Sequence, residues 1–236
     1  MSNGVLEQAI KNTEGDLKES KLNASGTQNT PDDFSERQAE VLSCVLELMV
    51  EEGDGFSMAK VAKRASCSKE TLYNWFKDRD GLLTATVRWQ ASRVKIPDMD
   101  ASALDFETFR VGLAQFAQNW LEVISGDVSI ALNRAAVTHA GSGKTNLGAI
   151  VLFNGPFAMA RRLEPIFKLG QGAGLIVECD SQELFKTYFG LVVGDFQIRA
   201  LLGDAKKPSK EQIKKSAVLA AEQFLSLYGA DQTLKN

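Results

Sequence analysis

The sequence predicts an all-α chain, with a compact head of short helices followed by a longer helical region. Three observations predict it. Apolar residues recur at the 3.6-residue helical rhythm in one segment after another from residue 34 onward. Clusters of Gly, Pro and Asp separate those segments. No stretch alternates apolar and polar residues over five or more positions, and Leu175-Ile176-Val177, the one strand-like run, is too short to matter.

Residues 1–34 read as a flexible N-terminal arm. Asn, Ser, Thr, Gly, Asp and Gln dominate them, and Thr30-Pro31-Asp32-Asp33 closes the segment with turn chemistry. Structure starts where Ser35 and Gln38 form a capping box, with Phe34 placed as a hydrophobic staple. Ala39, Leu42, Val45, Leu46 and Met49 give the first helix its buried face, and Gly53-Asp54-Gly55 stops it. Ser57 caps a second helix over Met58–Ala65, with Val61 and Ala62 inward. After a break at Ser66-Cys67, Ser68 caps a third helix of barely two turns, Lys69–Trp75. Asp78 caps a fourth, running through Leu82, Leu83, Val87 and Val94 until Ile96-Pro97 breaks it. Further helices are predicted over about 103–124, 127–140, 146–152, 155–170, 181–203 and 209–228. The last opens on a second capping box, Ser209 with Gln212. No internal repeat is visible.

Composition removes several classes of function. A chain of 236 residues makes one or two domains, and 44% apolar with 24% charged residues excludes disorder throughout. No apolar run reaches the length of a membrane helix, and the first thirty residues lack the apolar core of a secretory signal. Cys44, Cys67 and Cys179 lie far apart and one histidine stands alone, so neither a disulfide framework nor a His-rich zinc site is expected. No cofactor and no metal are predicted, and the expected compartment is the reducing cytoplasm.

Charge is uneven. Residues 35–59 carry one cation against six acids, whereas residues 60–95 carry nine cations against three acids. The whole chain is at −3, so one compact basic stretch stands out from a mildly acidic background. Such a stretch is the footprint of a polyanion-binding surface. Two short helices joined by a tight turn inside it fit a helix-turn-helix, because a major groove admits one helix held at a fixed angle by its neighbours. Val61, Ala62, Leu72 and Phe76 can pack that angle.

The run Ser57-Met-Ala-Lys-Val-Ala-Lys-Arg-Ala-Ser-Cys-Ser-Lys-Glu-Thr-Leu-Tyr-Asn-Trp-Phe-Lys-Asp-Arg-Asp-Gly-Leu-Leu83 resembles the DNA-binding signature of TetR-family transcriptional regulators. The likeness spans about residues 35–95, with Thr71-Leu72-Tyr73, Phe76, Arg79 and Leu82-Leu83 in register. Two departures stand out. Ser66 occupies the turn position where the family usually has Gly, which calls for a different turn or a positive φ at modest cost. Arg79 replaces the commoner Lys and keeps the charge.

The resemblance implies roles position by position. Thr71, Tyr73 and Arg79 match phosphate-holding residues, and Ser57 and Lys60 at the start of the second helix look like backbone contacts as well. Ser68 belongs to the same interface. Lys69, Glu70, Asn74 and Trp75 match groove-facing positions. Lys69 suits guanine O6/N7, Asn74 suits adenine N6/N7, and Glu70 either accepts from cytosine N4 or opposes a phosphate. Trp75 reads equally well as a core aromatic beside Phe76.

Residues 153–162, Phe-Asn-Gly-Pro-Phe-Ala-Met-Ala-Arg-Arg, and the stretch Gly190 to Gly203 further resemble the C-terminal domain of the AefR-like branch of that family. The layout implied is a helix-turn-helix DNA-binding domain over 35–80, a connecting helix over 81–97, and a ligand-binding and dimerisation region over 98–236. Helices 181–203 and 209–228 are expected to pair across a two-fold axis. Their apolar and small residues are Leu184, Phe185, Tyr188, Phe189, Val192, Phe196 and Leu201, then Ile213, Ala217, Ala220, Ala221, Phe224 and Tyr228. Candidate walls of an effector pocket are Phe116, Trp120, Phe153, Phe157 and Met159, with Asn133, His139, Asp195 and Arg199 as polar contacts.

The function implied is a dimeric regulator, most simply a repressor that binds a near-palindromic double-stranded DNA operator and is released by a small-molecule inducer. A regulator or activator without small-molecule control shares the same head. A distant alternative is a nucleotide-binding enzyme using Gly141-Ser142-Gly143-Lys144-Thr145. The phosphate-loop pattern, however, needs Gly where Thr138 stands and a strand where 128–139 reads as helix.

Overall fold

In the computed structural model, residues 34–53, 55–138, 140, 146–204 and 206–230 are described. The arm expected over 1–34 lies outside the described residues save for Phe34, as do His139 and the loop Gly141–Thr145.

The described residues form eleven α-helices. Helix α1 (Glu36–Glu52) opens on the capping box that its spacing predicts. Ser35 Oγ accepts from the Gln38 N–H at 3.2 Å, and the Gln38 side chain accepts from the Ser35 N–H at 2.9 Å. Phe34, expected as a staple, sets its ring edge-on to Trp89. Helices α2 (Met58–Arg64), α3 (Lys69–Phe76) and α4 (Arg79–Ser92) start on Ser57, Ser68 and Asp78, each accepting a first-turn N–H. Helix α4 ends earlier than its apolar pattern suggests. Val94 is buried, but the helical backbone stops at Ser92, because the chain is already being turned toward the extended Ile96-Pro97 pair.

A short 3₁₀ turn, Ala101–Ala103, leads into α5 (Phe106–Ile124), which Asp105 caps. Then follow α6 (Asp127–Thr138), α7 (Leu147–Asn154), α8 (Pro156–Gly172), α9 (Ser181–Val193), α10 (Phe196–Leu202) and α11 (Lys210–Tyr228). The single helix expected over 181–203 is in fact two. Gly194 takes φ 51°, where a side chain is strained, and returns its N–H to the Gly190 carbonyl, so the chain turns before α10 begins. The Leu175–Val177 run has a role after all. Ile176 and Gly229 form an isolated antiparallel bridge, and Val177 N–H reaches the Tyr228 carbonyl at 2.9 Å, tying the end of α11 to the chain after α8.

Two apolar cores hold these helices. One is built by α5, α8, α9 and α11 around Tyr188, whose ring lies 5.3, 6.1 and 6.5 Å from those of Phe224, Phe167 and Phe116. The Tyr188 hydroxyl donates to the Leu113 carbonyl at 2.6 Å, so its one polar atom is satisfied. The other core is that of α1–α4, extended by Leu132, Ala135 and Ala136 of α6 and by Leu147 and Val151 of α7. Packing is therefore continuous across the boundary that the sequence places near residue 97.

That arrangement narrows the expected pairing surface. Leu184, Tyr188, Val192, Ile213, Ala217, Ala220, Ala221 and Phe224 are buried within the chain itself, whereas Phe185, Phe189, Phe196, Leu201 and Tyr228 are half-buried. The amphipathic faces of α9 and α11 meet α5 and α8 rather than pointing outward. The large apolar residues left exposed on α10 and α11 are Ile198, Leu202, Leu219 and Leu227. Among the described residues, no helix is long and apolar enough to cross a membrane.

Candidate functional site

The head presents α3 on a rigid base. Leu72 and Phe76 anchor it in the core, which leaves Lys69, Glu70, Tyr73 and Asn74 exposed. Tyr73 keeps 49% of its surface, so a large aromatic ring with a hydroxyl stands on the open face of α3. Trp75 is half-buried, edge-on to Phe76 and packed on the head core, so it flanks the exposed face of α3 rather than forming it.

The turn before α3 is tight. Cys67 N–H reaches back to the Ala62 carbonyl at 2.9 Å, and Ser66 takes φ 50°. The serine at the usual glycine position thus adopts the left-handed backbone that the turn requires. Ser68 Oγ accepts from the Thr71 N–H at 3.0 Å and shares a 2.8 Å hydrogen bond with Thr71 Oγ1. Ser57 Oγ accepts from the Lys60 N–H at 3.3 Å. A hydroxyl that accepts at a cap still has its own O–H to donate outward.

The α3–α4 turn is as constrained. Lys77 takes φ 68° and returns its N–H to the Tyr73 carbonyl at 2.8 Å. Asp78 Oδ1 accepts from the Gly81 N–H at 2.7 Å, and a Cβ on Gly81 would stand 1.9 Å from the Phe76 carbonyl oxygen. Only glycine lets α4 start this close to α3. The Arg79 guanidinium lies over the Phe56 ring, 5.5 Å from its centroid.

The basic stretch is partly neutralised by α1. Lys60 pairs with Glu52, while Arg64 reaches Glu51 at 2.6 Å and Glu47 at 3.2 Å. The Arg64 hydrogen bonds hold the Glu51 carboxyl below the usual carboxylate range. Lys60 is thus engaged in the free head, and Arg64 braces α2 against α1.

Behind the head lies a cavity of about 70 Å³, lined by α4, α5, α6, α8 and α9 with contributions from Val151, Gly155 and Gln197. Of the residues offered for an effector pocket, Trp120, Asn133 and Met159 line this cavity. The other candidates do not. Phe116 is fully buried between Trp120 and Tyr188, because its position on α5 faces the aromatic core. Phe153 and Phe157 are exposed, the former under the Arg161 guanidinium. Asp195 and Arg199 sit at the surface, where Arg199 pairs with both Asp195 and Asp204. His139 lies outside the described residues. Gln90 and Ser129 join Asn133 on the polar floor without having been named from sequence: Gln90 Nε2 donates to Ser129 Oγ at 3.0 Å, and Asn133 Nδ2 donates to the Ser129 carbonyl at 2.8 Å. A glutamine on the same helical face as Val87, Ala91 and Val94 was the signal.

A family model for the C-terminal domain of AefR-like transcriptional repressors matches residues 111–230, just over half of the chain. A TetR transcriptional regulator of known structure from Agrobacterium tumefaciens is 35% identical, with a TM-score of 0.73 over 86% of this chain and 99% of that one. The chain belongs to the TetR family of transcriptional regulators. A regulator of that family from Mesorhizobium loti, at 24% identity, shares the fold with a TM-score of 0.64 over 82% of this chain and 96% of that one. The HTH-type transcriptional regulator YdeS of Bacillus subtilis is 32% identical over 78 residues, which is 32% of this chain and 39% of YdeS. The matched segment therefore spans well under half of that curated relative.

One residue that positions the TetR-type head escaped the motif. Arg37 of α1 donates through Nη2 to the carbonyls of Ala65 and Ser66, the two residues that form the turn. It lies nearly thirty residues upstream, so no local pattern could reveal it.

Proposed function

We propose that this TetR-family chain is a repressor. It binds a near-palindromic DNA operator as a homodimer in the cytoplasm and is released when a small molecule occupies the cavity beside α4. The observation that carries this reading is the exposed face of α3, where Lys69, Glu70, Tyr73 and Asn74 project from a helix whose other side is locked in the core. In this reading α3 enters the major groove. Lys69 and Asn74 read base edges, and Glu70 adds selectivity at a cytosine or against a phosphate. Ser57, Lys60, Ser68, Thr71, Tyr73 and Arg79 hold the backbone, with Trp75 at the rim.

Engagement exchanges Lys60 from Glu52 to phosphate, so part of its attraction to DNA offsets a lost ion pair. One two-turn helix reads too few bases for useful specificity, which favours two copies. The exposed apolar residues of α10 and α11, Ile198, Leu202, Leu219 and Leu227, are the surface proposed for that pairing.

The cavity supplies the switch. Val87, Gln90, Ala91 and Val94 line it from the α4 segment, and α4 begins at Arg79 next to α3. An occupant that fits only when α4 is displaced weakens operator binding, and DNA weakens its binding in return.

Two pairs of variants test the interface. Tyr73→Phe and Arg79→Ala are expected to weaken binding to all sequences, with Arg79→Ala lowering the salt slope by about one unit. Asn74→Ala and Lys69→Ala are expected to relax preference at one base position each, at about 1–3 kcal/mol. Unchanged affinity in the first pair, or unchanged selection from random duplexes in the second, contradicts the assigned roles.

A further inference from the structure

We infer that the cavity beside α4 takes a small, neutral, mostly apolar molecule with one hydrogen-bond donor, of the phenol class, and that Gln90 Oε1 receives that donor. The inference rests on reading the cavity as the effector site and says what kind of molecule it selects.

Gln90 is only 6% exposed. Its Nε2 is used on Ser129 Oγ, but its Oε1 has no hydrogen-bond partner among the described residues. A buried carbonyl oxygen without a donor is an uncompensated cost of folding. Packing does not call for it: the neighbours on this face of α4 are Val87, Ala91 and Val94, and an apolar side chain would fill the place without a polar atom.

The nearby amides cannot repair it. Asn133 Nδ2 is turned to the Ser129 carbonyl, and Gln197 Nε2 to Asn133 Oδ1 at 3.4 Å. The carbonyl of Gln90 is thus a directional acceptor set in a wall that Trp120, Met159, Phe189 and Val193 otherwise make apolar. Such sites fix the orientation of a ligand through a few placed polar groups.

Charge and size narrow the class. The lining holds no titratable side chain, and the Arg162 guanidinium behind it is engaged by the Ala91 and Val94 carbonyls, so a carboxylate or an ammonium would be buried without a counter-charge in contact. At about 70 Å³ the cavity is far smaller than the few hundred Å³ usual for drug-sized ligands. A single ring already exceeds that space, since a cavity of about 150 Å³ is what holds benzene, so one ring with one hydroxyl is the upper limit and enters only as α4 moves outward.

Phenol, toluene and benzoate make the test, since phenol and toluene are near-isosteric and differ in the donor. Each is titrated into the full-length protein at low millimolar concentration while the Trp120 indole N–H is followed by NMR. Phenol is expected to bind about tenfold more tightly than toluene, the size of one buried hydrogen bond, although toluene is the more hydrophobic. Benzoate is expected not to bind. In Gln90→Met the preference for phenol disappears while toluene still binds. The wild-type comparison needs no variant, so it decides even if Gln90→Met fails to fold. If toluene equals or beats phenol, or benzoate beats both, the donor assignment is overturned and the effector reading stands. If none of the three moves the Trp120 signal, the effector reading falls and this inference with it.

Discussion

Arg162 Nη1 donates a 3.0 Å hydrogen bond to the carbonyl oxygen of Ala91. The two residues are 71 apart in sequence, one on α8 and one in the last turn of α4. The same guanidinium also donates to the Val94 carbonyl and lies 3.7 Å from Met159 Sδ. Carbonyls at a helix C-terminus have no intrahelical partner, and a cation there also matches the helix dipole. Arg162 therefore clamps the end of the connecting helix, and its neighbours Ala91, Val94 and Met159 all line the cavity.

Replacing Arg162 by Met keeps much of the stem and removes the donors. The expected loss is about 2 kcal/mol, in the range for hydrogen bonds to a charged group. Urea unfolding with an unchanged slope measures it. Stability equal to wild type would mean that water satisfies the α4 terminus as well as the guanidinium does.

Ser66 bears a side chain where the backbone takes φ 50°. Ser66→Gly is expected to stabilise the chain by up to about 1 kcal/mol, since the relief of left-handed strain exceeds the added entropy of the unfolded glycine. Thermal unfolding shows a raised midpoint if this is right. A lowered midpoint would mean that the serine side chain contributes more than its backbone costs.

Gly81→Ala acts in the opposite direction. Its Cβ would meet the Phe76 carbonyl oxygen at 1.9 Å, and backbone cannot rotate away as a side chain can. A loss of about 3 kcal/mol is expected, by overpacking and by disturbing the Asp78 cap. A variant as stable as wild type would show that α4 can move off α3 without penalty.

Tyr188 predicts a pH dependence. Burial pushes its phenol above the ordinary tyrosine value. The unfolded chain releases that proton near pH ~10, whereas the folded chain keeps it, so the native state binds more protons above that pH. Stability is therefore fully present below about pH 10 and falls as pH rises past it. Tyr188→Phe is expected to lose about 1 kcal/mol at neutral pH, with the Leu113 hydrogen bond, and to flatten the alkaline limb. An alkaline limb as steep as that of wild type would place the titration elsewhere.

The elements of the head were legible in sequence because their signals are local. Ser35 with Gln38, Ser57, Ser68 and Asp78 each cap the helix that follows, and the α3 anchors Leu72 and Phe76 are four residues apart on one face. What could not be read was which surface meets which. The apolar faces of α9 and α11 look alike whether they meet α5 and α8 or a second copy, and only the fold distinguishes the two. The break at Gly194 was hidden because apolar residues continue on both sides of it. Most of the cavity was missed for a related reason. Aromatic residues such as Phe116, Phe153 and Phe157 drew attention by type, while the cavity is oriented by Gln90 and Ser129, small signals from two distant helices.

The central claim is that α3 reads a duplex as one of a symmetric pair. Selection of the full-length protein on a randomised duplex library, at low and then physiological salt, tests it most directly. The account predicts recovered sites with two inverted half-sites, and loss of preference at one matching base in each half for Asn74→Ala. Recovery of no sequence above background, or of single half-sites insensitive to Asn74→Ala and Lys69→Ala, would contradict it.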